Sequence, residues 1–186
     1  MGKPSRLAKE QQAALGRLKR IPALAHFYLA GGSGIACHLG HRRSLDLEIV
    51  SGSKAVLKIR LGNALVDIVR YQYPPLKVAP TGPGGFPTAS LLDLAAMKLA
   101  AIATRGIRRD FWDLFEILQT GLELSDAGKA YCERFGLDRS DLYHVTKSLS
   151  FFDDAQRKPY PAGLTPKKWS EIKRFFEAEA PKLLLG

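Results

Sequence analysis

The sequence predicts an α+β fold, a small mixed β-sheet with helices followed by an α-helical domain. Three observations carry that expectation. Residues 45–50, 55–61 and 64–71 read as short strands, the first by alternation of apolar and acidic residues and the others by their β-branched content. Residues 72–88 hold five of the eleven prolines and three glycines, a loop or linker. Beyond them, apolar residues recur at helical spacing nearly to the end. With 186 residues and 46% hydrophobic content the chain can bury a core as one domain or two small ones. The Pro-rich stretch sets the expected domains at 1–87 and 88–186.

Charge narrows the function classes. The net charge is +10 and the isoelectric point about 9.8, which favours a polyanionic partner such as RNA or nucleotide phosphates. No apolar run reaches membrane-spanning length, and residues 1–20 are polar and basic with no signal peptide. Cys37 and Cys132, both in apolar helical context, make no disulfide framework. The expectation is a reduced, cytoplasmic protein without a membrane partner.

Taking the elements in order, residues 5–20 form an amphipathic helix with Ser5 as N-cap. Leu7, Leu15 and Leu18 with Ala8 and Ala14 face inward, and Pro22 ends it. An apolar run, His26–Ala30, delivers a turn at Gly31, Gly32 and Ser33. A helix-compatible stretch, Gly34–Leu39, ends at Gly40, and a basic turn of His41, Arg42, Arg43 and Ser44 leads into Leu45–Val50.

In that strand Asp46 and Glu48 stand two apart and share a face. Neighbouring carboxylates repel unless a cation lies between them, and hard divalent ions take oxygen ligands. The glycine turn suits phosphate, because glycines let backbone N–H groups approach an anion at a helix N-terminus. His38 and His41 lack the further ligands a zinc site needs.

The next two strands are joined at Gly62-Asn63, a hairpin signal. In the second, Asp67 shares its side with Leu65 and Val69. Two readings stand open for it, a third acid of the site or an edge-strand charge that discourages aggregation.

Ser90 caps a helix with Asp93 three residues on. Within LAAMKLAAIA only Lys98 is polar, and a buried ammonium requires a carboxylate, a bound anion or an escape to the surface. Gly106 ends that helix, and RDFWDLFEIL begins another with Phe111, Leu114, Phe115 and Leu118 as its core stripe. Asp110 and Asp113 share a different face, with Arg109 four residues from Asp113. Helices at 124–135, 140–152 and 166–184 complete the chain, with His144, Phe151, Phe152, Trp169, Phe175 and Phe176 expected in its core.

GGSGIACHLGHRRSLDLE resembles the core of the nucleotidyltransferase superfamily, a glycine turn followed by D-x-[DE] on the next strand. More narrowly it resembles the AbiEii toxin family, also described as MenT-like nucleotidyltransferases, with Glu48 where that family usually has Asp. DLAAMKLAAIATRG is similar to the family's lysine element and RDFWDL to its closing motif. One departure is visible: the chain passes almost directly from Val50 to the hairpin, where relatives carry a longer, helix-bearing segment.

The resemblance implies a minimal nucleotidyltransferase core, with the site between it and the helical domain. Asp46 and Glu48, with Asp67 as a third acid, would hold Mg2+ or Mn2+. Gly31, Gly32 and Ser33 would hold the phosphates of an NTP, and Arg43, Arg109 and Asp110 would line the nucleotide site. Lys98 would offset transition-state charge and Asp113 would orient or deprotonate the attacking hydroxyl. Arg105 and Arg108 would add positive charge. The acceptor would be tRNA or a protein hydroxyl, the setting a toxin–antitoxin or phage-defence system, and a further partner a cognate antitoxin. Two other readings are a degenerate relative that only binds nucleotide or RNA, and a small-molecule nucleotidyltransferase of the antibiotic-modifying kind.

Overall fold

The computed structural model describes residues 7–51, 57–77 and 81–184. The expected Ser5 cap, the start of the strand at Ala55 and the Val78–Pro80 part of the loop lie outside these residues. By contacts the chain divides into two compact units, Met1–Leu94 and Ala95–Gly186.

The first unit opens with α1 (Lys9–Leu18), which buries Ala14, Leu15 and Leu18 as expected but leaves Ala8 exposed. Its Gln11 is buried too: its Oε1 accepts from the Ala8 N–H at 2.9 Å, and its Nε2 donates to Ser44 O at 3.1 Å and Leu45 O at 3.2 Å. One side chain thus caps the helix and pins the loop that enters the acidic strand.

Four strands follow: β1 (Tyr28–Ala30), β2 (Asp46–Ser51), β3 (Leu57–Leu61) and β4 (Ala64–Arg70). They form one mixed sheet in the order β1-β2-β4-β3. β2 pairs antiparallel with β1 and parallel with β4, and β3 pairs antiparallel with β4 as the expected hairpin. Alternation decides which face is buried. Leu47 and Ile49 of β2 join Ala64, Val66 and Ile68 of β4 in a core with Leu15, Leu18, Leu29 and Phe86. The opposite face carries Asp46, Glu48, Leu65 and Asp67, with Leu65 41% exposed.

Two expectations change. The glycine turn is not a separate turn, because α2 runs Gly31–Leu39 and begins at the first glycine. Gly31 at φ +54° lets the chain pass from β1 into the helix without a connecting loop. Nor is the Pro-rich stretch a free linker. Phe86 is buried in the sheet's core, the Leu29 N–H donates to Pro87 O at 2.7 Å, and the Ala89 N–H donates to Leu29 O at 2.9 Å. This segment is tied to β1, and the unit ends further along, at Leu94. The proline content marks missing N–H donors, which is compatible with lying along a sheet edge.

α3 (Leu91–Thr104) begins as expected: the Asp93 N–H donates to Ser90 Oγ at 3.1 Å, and Ser90 Oγ donates to Asp93 Oδ2 at 2.6 Å. Asp93 Oδ1 also accepts from the Leu76 N–H at 2.8 Å.

The second unit is helical: the rest of α3, then α4 (Arg108–Leu118), α5 (Leu124–Phe135), α6 (Leu142–Leu149), the short α7 (Asp153–Gln156) and α8 (Pro166–Glu179). Phe111 centres its core, with ring centroids 5.3 Å from Phe152, 5.8 Å from Trp169 and 5.7 Å from Phe176. Leu114, Phe115 and Leu118 are buried as expected, but Phe151 is 54% exposed and His144 lies at the surface, its ring 3.1 Å from Ala103 O. The helix expected over 140–152 stops at Leu149, which turns Phe151 outward while Phe152 stays in. Among the described residues no helix is long and apolar enough to cross a membrane.

Candidate active site

In the first unit the site is built on the sheet's polar face. β2 presents Asp46 and Glu48 on one side, and the parallel register sets Glu48 opposite Asp67 of β4. β4 lies between β2 and β3, so Asp67 is on an interior strand and not on an edge. The antiparallel register then sets Lys58 of β3 opposite Asp67, and their side chains meet at 2.8 Å. The hydrogen bond that Lys58 donates to Asp67, and then the charge of Asp67, raise the Lys58 ammonium above its usual pKa, with smaller contributions from Asp46 and Glu48. Three carboxylates therefore share this face with the Lys58 ammonium and, two residues along β3, with Arg60.

α2 meets one of these acids, Glu48. A Cβ at Gly31 would run into Glu48 Oε2, so the carboxylate lies directly against the glycine. Ser33 is buried; its Oγ donates to Ala30 O at 3.0 Å and accepts from the Glu48 N–H at 3.0 Å. The hydroxyl's one proton is directed to Ala30 O, so a phosphate contact from this side chain would have to displace that bond. Backbone N–H groups at Gly31 and Gly32 are what this turn can offer an anion. The cation beside it is Arg42, not Arg43: Arg42 is buried, with Nη2 2.7 Å from where a Gly32 Cβ would be, and Arg43 is exposed. His38 is engaged with Ala89 O at 2.8 Å.

In the second unit Lys98 is 8% exposed at its side chain and bonds two carboxylates, Asp110 Oδ1 at 2.9 Å and Asp113 Oδ2 at 2.9 Å. Both acids are essentially fully buried. α4 brings them together because residues three apart share a helix face. Arg105 grips Asp110 with two bonds, Nε to Oδ2 at 2.9 Å and Nη2 to Oδ1 at 3.0 Å. Burial is the strongest influence on Lys98 and acts to lower its pKa, yet Asp113 and Asp110 together hold it above the usual value. Burial likewise works to raise Asp110, and Lys98 and Arg105 overcome it and hold the carboxyl below the usual range.

The expected cations divide. Arg105 joins the cluster, Arg109 is exposed, and Arg108 is buried elsewhere. Arg108 bonds the carbonyls of Lys158 and Gln156 and stacks over Tyr160 at 4.1 Å and Trp169 at 5.5 Å. It is a structural tie of the helical unit and not a pocket cation.

Residues 51–183 match the model of a family described as "Nucleotidyl transferase AbiEii toxin, Type IV TA system". The chain belongs to the AbiEii family. The match takes in Asp67, Lys98, Asp110 and Asp113 and begins just after Asp46 and Glu48. Membership makes the chain one of the nucleotidyltransferase toxins of toxin–antitoxin systems and implies a cognate antitoxin. A relative, "Uncharacterized protein aq_aa25" of Aquifex aeolicus (strain VF5), is 28% identical over 206 residues, covering 96% of this chain and 98% of its own length. No solved structure matches the chain.

The acids' fit to a divalent ion is a matter of donor chemistry. Asp46, Glu48 and Asp67 are all oxygen donors, the class magnesium and manganese prefer, and one or two carboxylates suffice when phosphates complete the shell. They are spaced along the sheet: among the described residues no three His, Cys, Asp or Glu side chains are gathered closely enough to enclose an ion by themselves. The set fits an ion shared with a substrate better than a closed protein cage.

Sequence reasoning missed Gln11, Arg42 and Lys58. Lys58 had a signal, since it alternates with apolar residues in LKIRL, but pairing it with Asp67 requires the register. Arg42 and Gln11 act through long-range contacts that no local pattern announces.

Proposed function

We propose that this AbiEii chain transfers a nucleotidyl group from an NTP to an acceptor hydroxyl on tRNA or a protein. The observation that carries the reading is the register that sets Asp46, Glu48 and Asp67 on one face, beside the glycine start of α2. Asp46 and Glu48 would hold Mg2+ or Mn2+, with Asp67 in support; the bound ion would neutralise the triphosphate and stabilise charge as the bond to the leaving pyrophosphate breaks.

The chain's own groups do the rest. Backbone N–H groups of Gly31 and Gly32 bind phosphate oxygens, and Arg42 adds positive charge beside them. Of the nucleotide contacts expected from sequence, Arg43 and Arg109 remain exposed cations suited to phosphates or RNA, and Asp110 is a supporting acid that fixes Lys98. Lys98 offsets developing negative charge, and Asp113 orients or deprotonates the attacking hydroxyl. A net charge of +10 supports RNA as acceptor. A cytoplasmic setting follows from a partner of that kind.

A second reading, a relative that binds nucleotide or RNA without turnover, is favoured by one observation: Lys58 already engages Asp67. One experiment separates the two. Purified protein is incubated with each labelled NTP and Mg2+, with bulk tRNA or with a panel of small hydroxylated acceptors, beside Asp46→Ala. Label on RNA with the wild type alone establishes the transfer and its nucleotide. Label on protein moves the acceptor to a protein hydroxyl. No label with NTP binding intact overturns the transfer reading, and label only on small acceptors would place the chain with antibiotic-modifying enzymes.

A further inference from the structure

We propose that Lys58 is a built-in counter-ion for the acidic face, one that a divalent ion must compete with, so that this lysine sets the metal affinity of the site. The inference rests on the metal reading given above.

Lys58, Asp67 and Glu48 form one row across β3, β4 and β2, each the register partner of the next. The Lys58 Nζ lies 2.8 Å from Asp67 Oδ2, while its side chain is 77% exposed and Asp67's is 26% exposed. Charge, not packing, therefore holds the lysine over the row.

A lysine on an edge strand is commonly there to keep the edge from pairing with another chain, and such a lysine points into water. This one, though exposed along most of its length, bonds Asp67 of the neighbouring strand. Its identity as lysine matters too. A single flexible ammonium can swing into solvent without moving the backbone, whereas a guanidinium fork bonded twice would be harder to displace. Without a cation from solution, Lys58 relieves the mutual repulsion of Asp67, Glu48 and Asp46. When an ion binds, the ammonium must leave or endure its positive charge, and either opposes binding.

The test uses Mn2+ alone, with no NTP, titrated into the full chain and followed by calorimetry or by the spin resonance of free Mn2+. Lys58→Met is compared with wild type, Lys58→Arg and Asp46→Asn. Removing one unit charge about 5 Å from a divalent ion, in water at physiological salt, should tighten Mn2+ binding about fivefold in Lys58→Met. Lys58→Arg, which keeps the charge, should bind no more tightly than wild type, and a thermal melt confirms that each variant is folded. Equal or weaker Mn2+ binding by Lys58→Met, with Asp46→Asn still weakening it, would overturn the role of Lys58 and leave the metal reading standing. Mn2+ binding that does not depend on Asp46 in any variant would overturn both.

Discussion

The Ser33 hydroxyl accepts a hydrogen bond from the Glu48 amide at 3.0 Å while donating to Ala30 at 3.0 Å, so one side chain laces the start of α2 to both strands beside it. This is a structural duty for a serine whose position in a glycine turn suggests phosphate binding. Ser33→Ala should remove both hydrogen bonds and destabilise the first unit by about 1–3 kcal/mol, read by urea unfolding. NTP affinity of the folded fraction should change little. A large affinity loss without a stability loss would return the hydroxyl to the phosphate.

Gly31 and Gly62 make a controlled pair. Both have φ near +60°, but a Cβ at Gly31 meets the Glu48 carboxylate and one at Gly62 meets nothing within 4 Å. Gly62→Ala should cost about 1–2 kcal/mol of backbone strain and leave transfer intact. Gly31→Ala should cost more and also displace Glu48, abolishing NTP-dependent labelling even in protein shown to be folded by circular dichroism. Equal behaviour of the two variants would separate Glu48 from the chemistry.

Lys98 bonds two buried acids, and its loss removes that cation from both, leaving Arg105 to hold Asp110. Lys98→Met should destabilise the helical unit by about 3–5 kcal/mol, measured by denaturant unfolding. Lys98→Arg, which keeps the charge but changes its shape, should recover part of that stability. Recovery of stability without recovery of labelling would show that the ammonium does more than hold the helices.

The same cluster predicts a pH dependence. The Asp110 carboxyl is held below its ordinary 3.8, so its contribution to stability is present above that pH and lost as pH falls through the folded value. Lys98 is raised above 10.5, so its contribution is complete below 10.5 and lost only as pH rises past its folded value. Asp110→Asn should therefore be much less stable than wild type at neutral pH, and the gap should shrink below pH 3.8. Thermal melts across pH check this; a gap that stays constant into acid would mean that the Asp110 charge is not what stabilises the fold.

Local pattern carried a good part of this molecule. The alternation of Leu47 and Ile49 with Asp46 and Glu48 was enough to place the acids together, because strand periodicity is a property of the chain itself. The same holds for Asp110 and Asp113 on one helix face and for the Gly62-Asn63 hairpin. An apolar helix broken only by Lys98 declared a buried charge that needed a partner. The family resemblance named the chemistry, and the match over residues 51–183 bears out the family.

Tertiary structure decided who meets whom. Sequence could say that Lys98 required a counter-charge, but only the packing of α4 against α3 chose Asp110 and Asp113 for it, with Arg105 closing the cluster. Only the sheet order put Asp67 on an interior strand opposite Glu48 and turned Lys58 onto the acids. The proline-rich stretch, locally a linker, became part of the sheet's edge because Phe86 found the core. Periodicity fixes a side chain's direction relative to its own backbone, whereas ion pairs and buried hydrogen bonds depend on distances between strands and helices remote in sequence. Those distances exist only once the chain has folded.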